Sequence, residues 1–133
     1  MLKIKTKIGM SKIHGIGLFA DQFIKKGTIT WEFDPHFDMQ IDEKTMNELS
    51  EINRDHFLFF CYFDKKLNKY ILCSDYQKFI NHTVEAKNQN ILSTPDMDVA
   101  ARDIEIGEEL LCDYNKFDSD YFNRMKLHTS QLL

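Results

Sequence analysis

The sequence predicts a mostly β single domain, built of many short strands with one or two helices. Three observations carry this. Apolar and polar residues alternate in short runs, the period of a strand with one buried face. Turn-forming clusters interrupt those runs every few residues, at Gly9, Lys25-Lys26-Gly27-Thr28, residues 64–68 and Thr94-Pro95-Asp96. A helical period shows in only two places, after Asp42 and after Asp118. At 133 residues the chain is long enough for one buried core.

The elements follow in order. Leu2, Ile4, Thr6 and Ile8 alternate with lysines as a first strand. Gly15-Ile16-Gly17 reads as a glycine turn, with Leu18-Phe19-Ala20 as the strand beyond it. A dinucleotide loop would need a third glycine and a helix next. Ile29, Trp31 and Phe33 alternate with Thr30, Glu32 and Asp34, and Pro35 ends that strand. Asp42 can cap a short amphipathic helix carrying Met46, Leu49 and Ile52, ending near Arg54. The aromatic run at residues 56–63 pairs across a polar turn with Tyr70-Ile71-Leu72-Cys73 as a hairpin. Residues 84–90 read as a loop, residues 91–92 and 97–101 as two strands, and residues 102–109 as a surface loop. Leu110-Leu111-Cys112 follows as a strand. Asp118 or Ser119 can cap a final helix with Tyr121, Phe122 and Met125 on one side.

The formal charge of -4 argues against a general nucleic-acid binder, which carries a dense basic patch. It suits a cationic partner such as a Lys-rich peptide. No apolar run approaches a membrane span, and the first residues lack a signal-peptide core. Cys61, Cys73 and Cys112 are odd in number and form no CxxC pair. They read as reduced core residues, without a metal site.

Three stretches carry candidate chemistry. Asn81-His82 offers an amide that donates and accepts, and an imidazole whose tautomer suits its partner. Gly15 and Gly17 allow close approach of backbone to a ligand. Asp113-Tyr114 closes Gly107-Glu108-Glu109-Leu110-Leu111-Cys112 with a phenol. Aromatic faces at Tyr62 and Tyr70 could line a channel for an alkyl-ammonium group.

Taken together, these segments resemble the SET domain of protein-lysine methyltransferases over residues 12–117. Gly15-Ile16-Gly17-Leu18-Phe19-Ala20 resembles the family's glycine motif. Lys78-Phe79-Ile80-Asn81-His82-Thr83 resembles its hallmark Arg-Phe-x-Asn-His-Ser, and residues 107–114 match its closing Gly-Glu-Glu-Leu-x-x-Asp-Tyr. The compact chain looks most like small stand-alone SET proteins of bacteria and viruses.

The resemblance implies small curved β-sheets with a C-terminal pseudoknot. It implies one domain over residues 1–133, with an insert at about 38–70 holding a short helix, and a C-terminal helical segment at about 118–133. It implies S-adenosylmethionine as cofactor, held by the backbone at Ile16 and Gly17 and by the side chains of Asn81 and His82. Tyr114 would be the catalytic tyrosine of a lysine channel, with Tyr62, Tyr70 and Cys112 as channel residues. The substrate would be a lysine in a protein or peptide, such as a basic tail. The expected location is the cytoplasm, or a host nucleus for a viral or secreted protein. A homodimer through an exposed edge or the terminal helix fits the reading.

Departures from the pattern bear on function. Lys78 and Thr83 replace the usual Arg and Ser. The Cys-x-Pro-Asn tail is absent, and residues 84–88 form a longer loop. Phe33 stands where many members have Tyr. No cysteine cluster follows, so the final helix would close the channel instead. Cys112 is small, leaving room for di- or trimethylation. The missing tail and Phe33 motivate an alternative, a peptide-binding module without catalysis.

Overall fold

The computed structural model describes residues 1–129. In chain order the strands and helices are β1 (Thr6–Met10), β2 (Ile16–Ala20), β3 (Ile29–Glu32), β4 (Met39–Ile41), α1 (Glu43–Glu48), α2 (Glu51–Phe60), β5 (Tyr62–Asp64), β6 (Lys69–Leu72), β7 (Asn81–His82), β8 (Ile91–Ser93), β9 (Met97–Ala100), β10 (Leu111–Cys112) and α3 (Tyr121–Thr129). This is the mostly β architecture read from the sequence. The last residues of the expected C-terminal segment, 130–133, lie outside the described residues.

Four small sheets share the work. β1 and β2 form an antiparallel hairpin with Gly9 opposite Gly17. β3, β9 and β8 form a second sheet in that order, and β4, β6 and β5 a third. β7 and β10 pair in parallel, Asn81 with Leu111 and His82 with Cys112. A parallel pair needs a long connection between its strands. Here that connection carries β8 and β9, and the returning chain is threaded.

Asn90 holds the thread. It is 1% exposed. Its Nδ2 donates to Glu109 O (2.8 Å), its Oδ1 accepts from Leu111 N–H (2.8 Å), and its own N–H donates to Leu111 O (3.1 Å). Segment 109–112 therefore runs between β7 on one side and Asn90 on the other, with its polar backbone satisfied on both. A closed loop around a passing segment is the pseudoknot.

The core has three apolar clusters. Leu18, Ile24, Ile80, Ile91, Ile104 and Leu110 centre the first; Met46, Leu58, Cys61, Tyr121 and Met125 the second; Trp31, Tyr62, Ile71 and Cys73 the third. Tyr114 packs against the first and second, and Phe117 against the first and third. The site sits where the clusters meet.

Five local expectations are corrected. The helix expected over residues 42–54 is two helices. Asp42 caps the first (Thr45 N–H to Oδ1, 2.7 Å), Leu49 turns extended at ψ 152°, and Ser50 caps the second. Ile52 is accordingly 83% exposed. The aromatic run at 56–60 is helical rather than a strand, so the hairpin starts at Tyr62. The first strand starts at Thr6, while Leu2 bridges to Trp31. A β-bulge between Ile29 and Trp31 breaks the alternation of β3, so Thr30 and Trp31 are both buried. Segment 102–109 is not wholly superficial, because Ile104 is fully buried and bridges to Ile24.

Candidate functional site

The site begins at the turn between β1 and β2. Ser11 closes it: its N–H donates to Gly15 O (2.8 Å), and its Oγ accepts from Ile13 and His14 N–H (2.9 and 3.1 Å). Gly15 has φ +50°, the left-handed region, and a Cβ built there would meet no atom within 4 Å. Open space therefore lies over Gly15. Gly17 is required for another reason. A Cβ there would lie 2.2 Å from Glu109 Oε1 and 3.1 Å from Ser11 Cβ.

Asn81 on β7 joins this turn to the rest. Its Nδ2 donates toward His14 O (2.9 Å), Ile16 O (3.2 Å) and Glu109 Oε1 (3.1 Å). Glycine turn, Asn-His step and closing motif thus meet around one amide. The Asn81 amide donor is spent on protein acceptors, so its structural role is tying loops.

Replacing Gly17 with Ala should push the Glu109 carboxylate away from Asn81. The expected stability loss is about 1–3 kcal/mol, the usual range for added bulk in a packed place. Denaturant midpoints would measure it. In a Glu109→Ala background the same change should cost much less; an equal cost would contradict the contact.

His82 fixes the next link. Its Nδ1 accepts from Tyr114 N–H at 3.0 Å. An accepting ring nitrogen carries no proton, so the hydrogen is on Nε2. Burial lowers the His82 pKa, against the pull of Asp113. The 3.7 Å approach of Asp113 Oδ1 is therefore not an ion pair near neutral pH. The imidazole ring lies 4.6 Å from that of Phe122 and 5.1 Å from that of Tyr114.

The Tyr114 hydroxyl donates to Ile80 O. That fixes its proton and leaves the oxygen's lone pairs to accept. Burial pushes its pKa well above the usual value, so the phenol stays neutral. Its ring meets Tyr121 edge-on at 5.0 Å and stacks on Phe122 at 6.0 Å. Helix α3 is fastened above it. Arg124 Nη2 binds Asp118 Oδ2 at 2.6 Å, Asp118 also accepts from Phe63 N–H, and Tyr121 donates to Phe59 O at 2.8 Å.

A cavity of about 60 Å³ adjoins Tyr114, with Tyr62, Cys112, Trp31, Gln77 and Asp98 among its walls. Tyr62 presents its ring there while its hydroxyl donates to Pro95 O (2.7 Å). Cys112 is fully buried, and burial raises its thiol pKa well above the usual value. Tyr70, expected in the channel, is not among the lining residues. Its ring packs on Phe63 at 5.0 Å and lies under the Arg124 guanidinium at 5.4 Å. Ile16, Gly17, Asn81, His82 and Tyr114 are brought together as expected from the motifs.

Two residues of the site escape sequence reasoning. Glu109 sits in the closing motif with nothing to single it out from Glu108. Asp98 lies in β9, where its register with Ala100 puts it on the buried face. Its carboxyl is 2% exposed and accepts from Gln77 Nε2 at 2.6 Å. Burial raises its pKa from 3.8 to about 7, opposed by Ser93 and Gln77. The Ser93 hydroxyl faces the carboxyl without forming a proper hydrogen bond.

A raised carboxyl pKa has a definite sign in stability. The folded chain keeps a proton that the unfolded chain releases above pH 3.8. Stability should therefore fall as pH rises from about 4 to about 7, by up to about 4 kcal/mol, and then level off. Asp98→Asn removes that fall. Melting curves at pH 5 and pH 8 should show the variant gaining on the wild type at the higher pH; parallel curves would contradict the assignment.

The acceptor set suits the ammonium group of a sulfonium amino acid. His14 O, Ile16 O and the Glu109 carboxylate are acceptors for an ammonium group. The aromatic faces of Tyr114 and Phe122 suit a cation, and the space over Gly15 is open.

The sequence model for the SET domain matches residues 15–115. No curated protein matches the chain. Among solved structures, a humanized mutant of the Chaetomium thermophilum Polycomb Repressive Complex 2, bound to the inhibitor GSK126, is similar at TM-score 0.62 and 22% identity over 86% of this chain. A Plasmodium falciparum protein described as a candidate histone methyltransferase is similar at TM-score 0.59 and 22% identity, over 85% of this chain and 95% of its own. ctPRC2 in an autoinhibited conformation bound to S-adenosylmethionine is similar at TM-score 0.62 and 20% identity over 96% of this chain. This chain spans 15% and 17% of the two Polycomb chains. At these identities the likeness is one of fold.

Proposed function

This chain belongs to the SET domain family, and from that premise we propose that it is an S-adenosylmethionine-dependent methyltransferase acting on the ε-amine of lysine in a protein or peptide. The observation that carries this reading is that the glycine turn, Asn81-His82 and Tyr114 meet through hydrogen bonds, and that Tyr114 in turn lines a cavity. The cofactor supplies an electrophilic methyl group on a sulfonium.

The backbone of Ile16 and Gly17, with Asn81 and His82, would hold the cofactor. The carbonyls of His14 and Ile16 and the Glu109 carboxylate offer the acceptors its ammonium needs. Transfer to an amine is an in-line displacement, so positioning supplies much of the gain. The cavity walls at Tyr62 and Cys112 would guide the aliphatic stem and exclude water. Tyr114, with its proton committed to Ile80 O, would accept a hydrogen bond from the amine and so aim its lone pair. A neutral phenol beside a developing positive charge adds electrostatic support without becoming a base.

The amine must be uncharged when it attacks, whereas a free lysine has a pKa of about 10.4. Apolar walls disfavour the ammonium form. The small Cys112 leaves room for an amine that already carries methyl groups. The acidic balance of the chain, -4, favours substrates with basic flanking residues.

Titration calorimetry with S-adenosylmethionine is the first test. One-site binding by the wild type is expected, weakened when Asn81 or His82 is replaced. A folded wild type that binds none overturns the reading.

A further inference from the structure

The proposed chemistry leaves one group on the cavity wall unused. Asp98 is the only acidic residue among the described residues lining the cavity that Tyr114 adjoins. It is buried and forms no ion pair among the described residues, while the Gln77 amide donates to it at 2.6 Å. A buried carboxyl of this kind works against folding, and such groups gather where chemistry needs them.

Its surroundings point the same way. The register of β3, β9 and β8 sets Trp31, Asp98 and Ser93 side by side in one cross-strand row. All three line the cavity. Trp31 Nε1 and Ser93 Oγ are buried without a hydrogen-bond partner. Buried polar atoms are nearly always paired, so two orphans flanking a carboxyl mark a wall built to meet a polar occupant.

We propose that Asp98 takes the proton from the substrate's ammonium group, making it the general base of the methyl transfer. This rests on the methyltransferase reading above. In the step, one N–H bond of the ammonium breaks and its electron pair stays on nitrogen. A new O–H bond forms on Asp98, which goes from carboxylate to neutral acid. The freed lone pair is the nucleophile for the methyl group. When the product leaves, the Asp98 proton passes to water and the carboxylate is restored.

The other titratable groups facing Asp98 do not compete. Cys73 just after β6, Cys112 on β10 and Tyr62 on β5 are all held protonated by burial. The Tyr114 phenol is likewise neutral. The N-terminal ammonium favours the ionised carboxyl from a distance, while burial holds Asp98 protonated up to about pH 7. Lys78 lines the same cavity and is a cation, not an acceptor. A base that titrates near the working pH is the efficient one.

The test is a pH–rate profile for the wild type, Asp98→Asn and Gln77→Met on a pool of synthetic Lys-containing peptides. S-adenosylmethionine binding is measured in parallel by calorimetry. Asp98→Asn should bind cofactor as the wild type does, yet turn over about 100-fold more slowly near pH 7. Its deficit should shrink by about tenfold per pH unit as solution supplies the free amine. Gln77→Met removes the donor to Asp98 Oδ2 and should move the acidic limb of the profile upward by roughly one unit. Wild-type turnover and an unshifted profile in both variants, with cofactor bound, would overturn the role of Asp98 alone. A wild type that binds no cofactor would instead sink the methyltransferase reading beneath it.

Discussion

Tyr114→Phe should lose about 10²–10³-fold in turnover while the protein stays folded and keeps its cofactor affinity. The two halves of that expectation have separate causes. The ring supports the fold through its contacts with Phe117, Tyr121 and Phe122, and Phe keeps all of them. The hydroxyl contributes one hydrogen bond to Ile80 O, worth about 1 kcal/mol. Its loss should lower stability only slightly. What Phe cannot supply is the hydroxyl oxygen that, in the proposed mechanism, accepts from the amine and orients it. Steady-state rates and a melting curve separate the effects. Unchanged turnover would remove Tyr114 from the reacting centre.

Asn90→Leu should produce the largest loss of stability, about 4 kcal/mol. Leu keeps the branched outline and heavy-atom count of Asn, though its methyl groups are bulkier and add some overpacking. But Glu109 O and Leu111 N–H would both be left buried and unpaired, at about 1–3 kcal/mol each, and the Leu111 register on β7 would loosen. Against a typical total of 5–15 kcal/mol, that is a large share. The damage should reach Tyr114 because it lies three residues beyond Leu111 on the threaded segment. Asn90→Asp gives a sharper variant: its carboxylate would face Glu109 O, so its cost should grow with rising pH and ease in acid, where a protonated carboxyl can donate again. Urea midpoints at two pH values would show this, and a wild-type midpoint for Asn90→Leu would contradict the clamp.

Much of the site was legible because its parts are local. A glycine turn, an Asn-His step and an Asp-Tyr end each occupy a few consecutive residues. Their order matched a known pattern, and the turn, the step and Tyr114 do converge. Asn90 and Asp98 were not legible for a common reason. Both matter through partners far away in sequence, Leu111 for one and Gln77 for the other. Neither periodicity nor composition encodes such pairings. In the strand around Asp98 the apolar Met97 and Val99 alternate with it, so the pattern reads the acid as outward when it is the buried one.

Local signals misled in three places. Ser50 restarts a helix after a single extended residue, so one periodic stretch became two helices. The aromatic run carries strand propensity, yet the cap at Ser50 and burial of Leu58 in the second cluster draw residues 56–60 into α2. Tyr70 sits on a strand beside the channel elements, but its ring serves α3 through Arg124. An aromatic residue's identity fixes its apolar area and leaves its direction to the register.

The account turns on methyl transfer at Tyr114, and mass spectrometry of acceptor peptides incubated with the protein and S-adenosylmethionine measures that directly. The expected result is one or more methyl masses on lysine side chains, absent from the same peptides treated with Tyr114→Phe. Cofactor-bound, folded wild-type protein that leaves every lysine unmodified, across basic and neutral peptides alike, would contradict it.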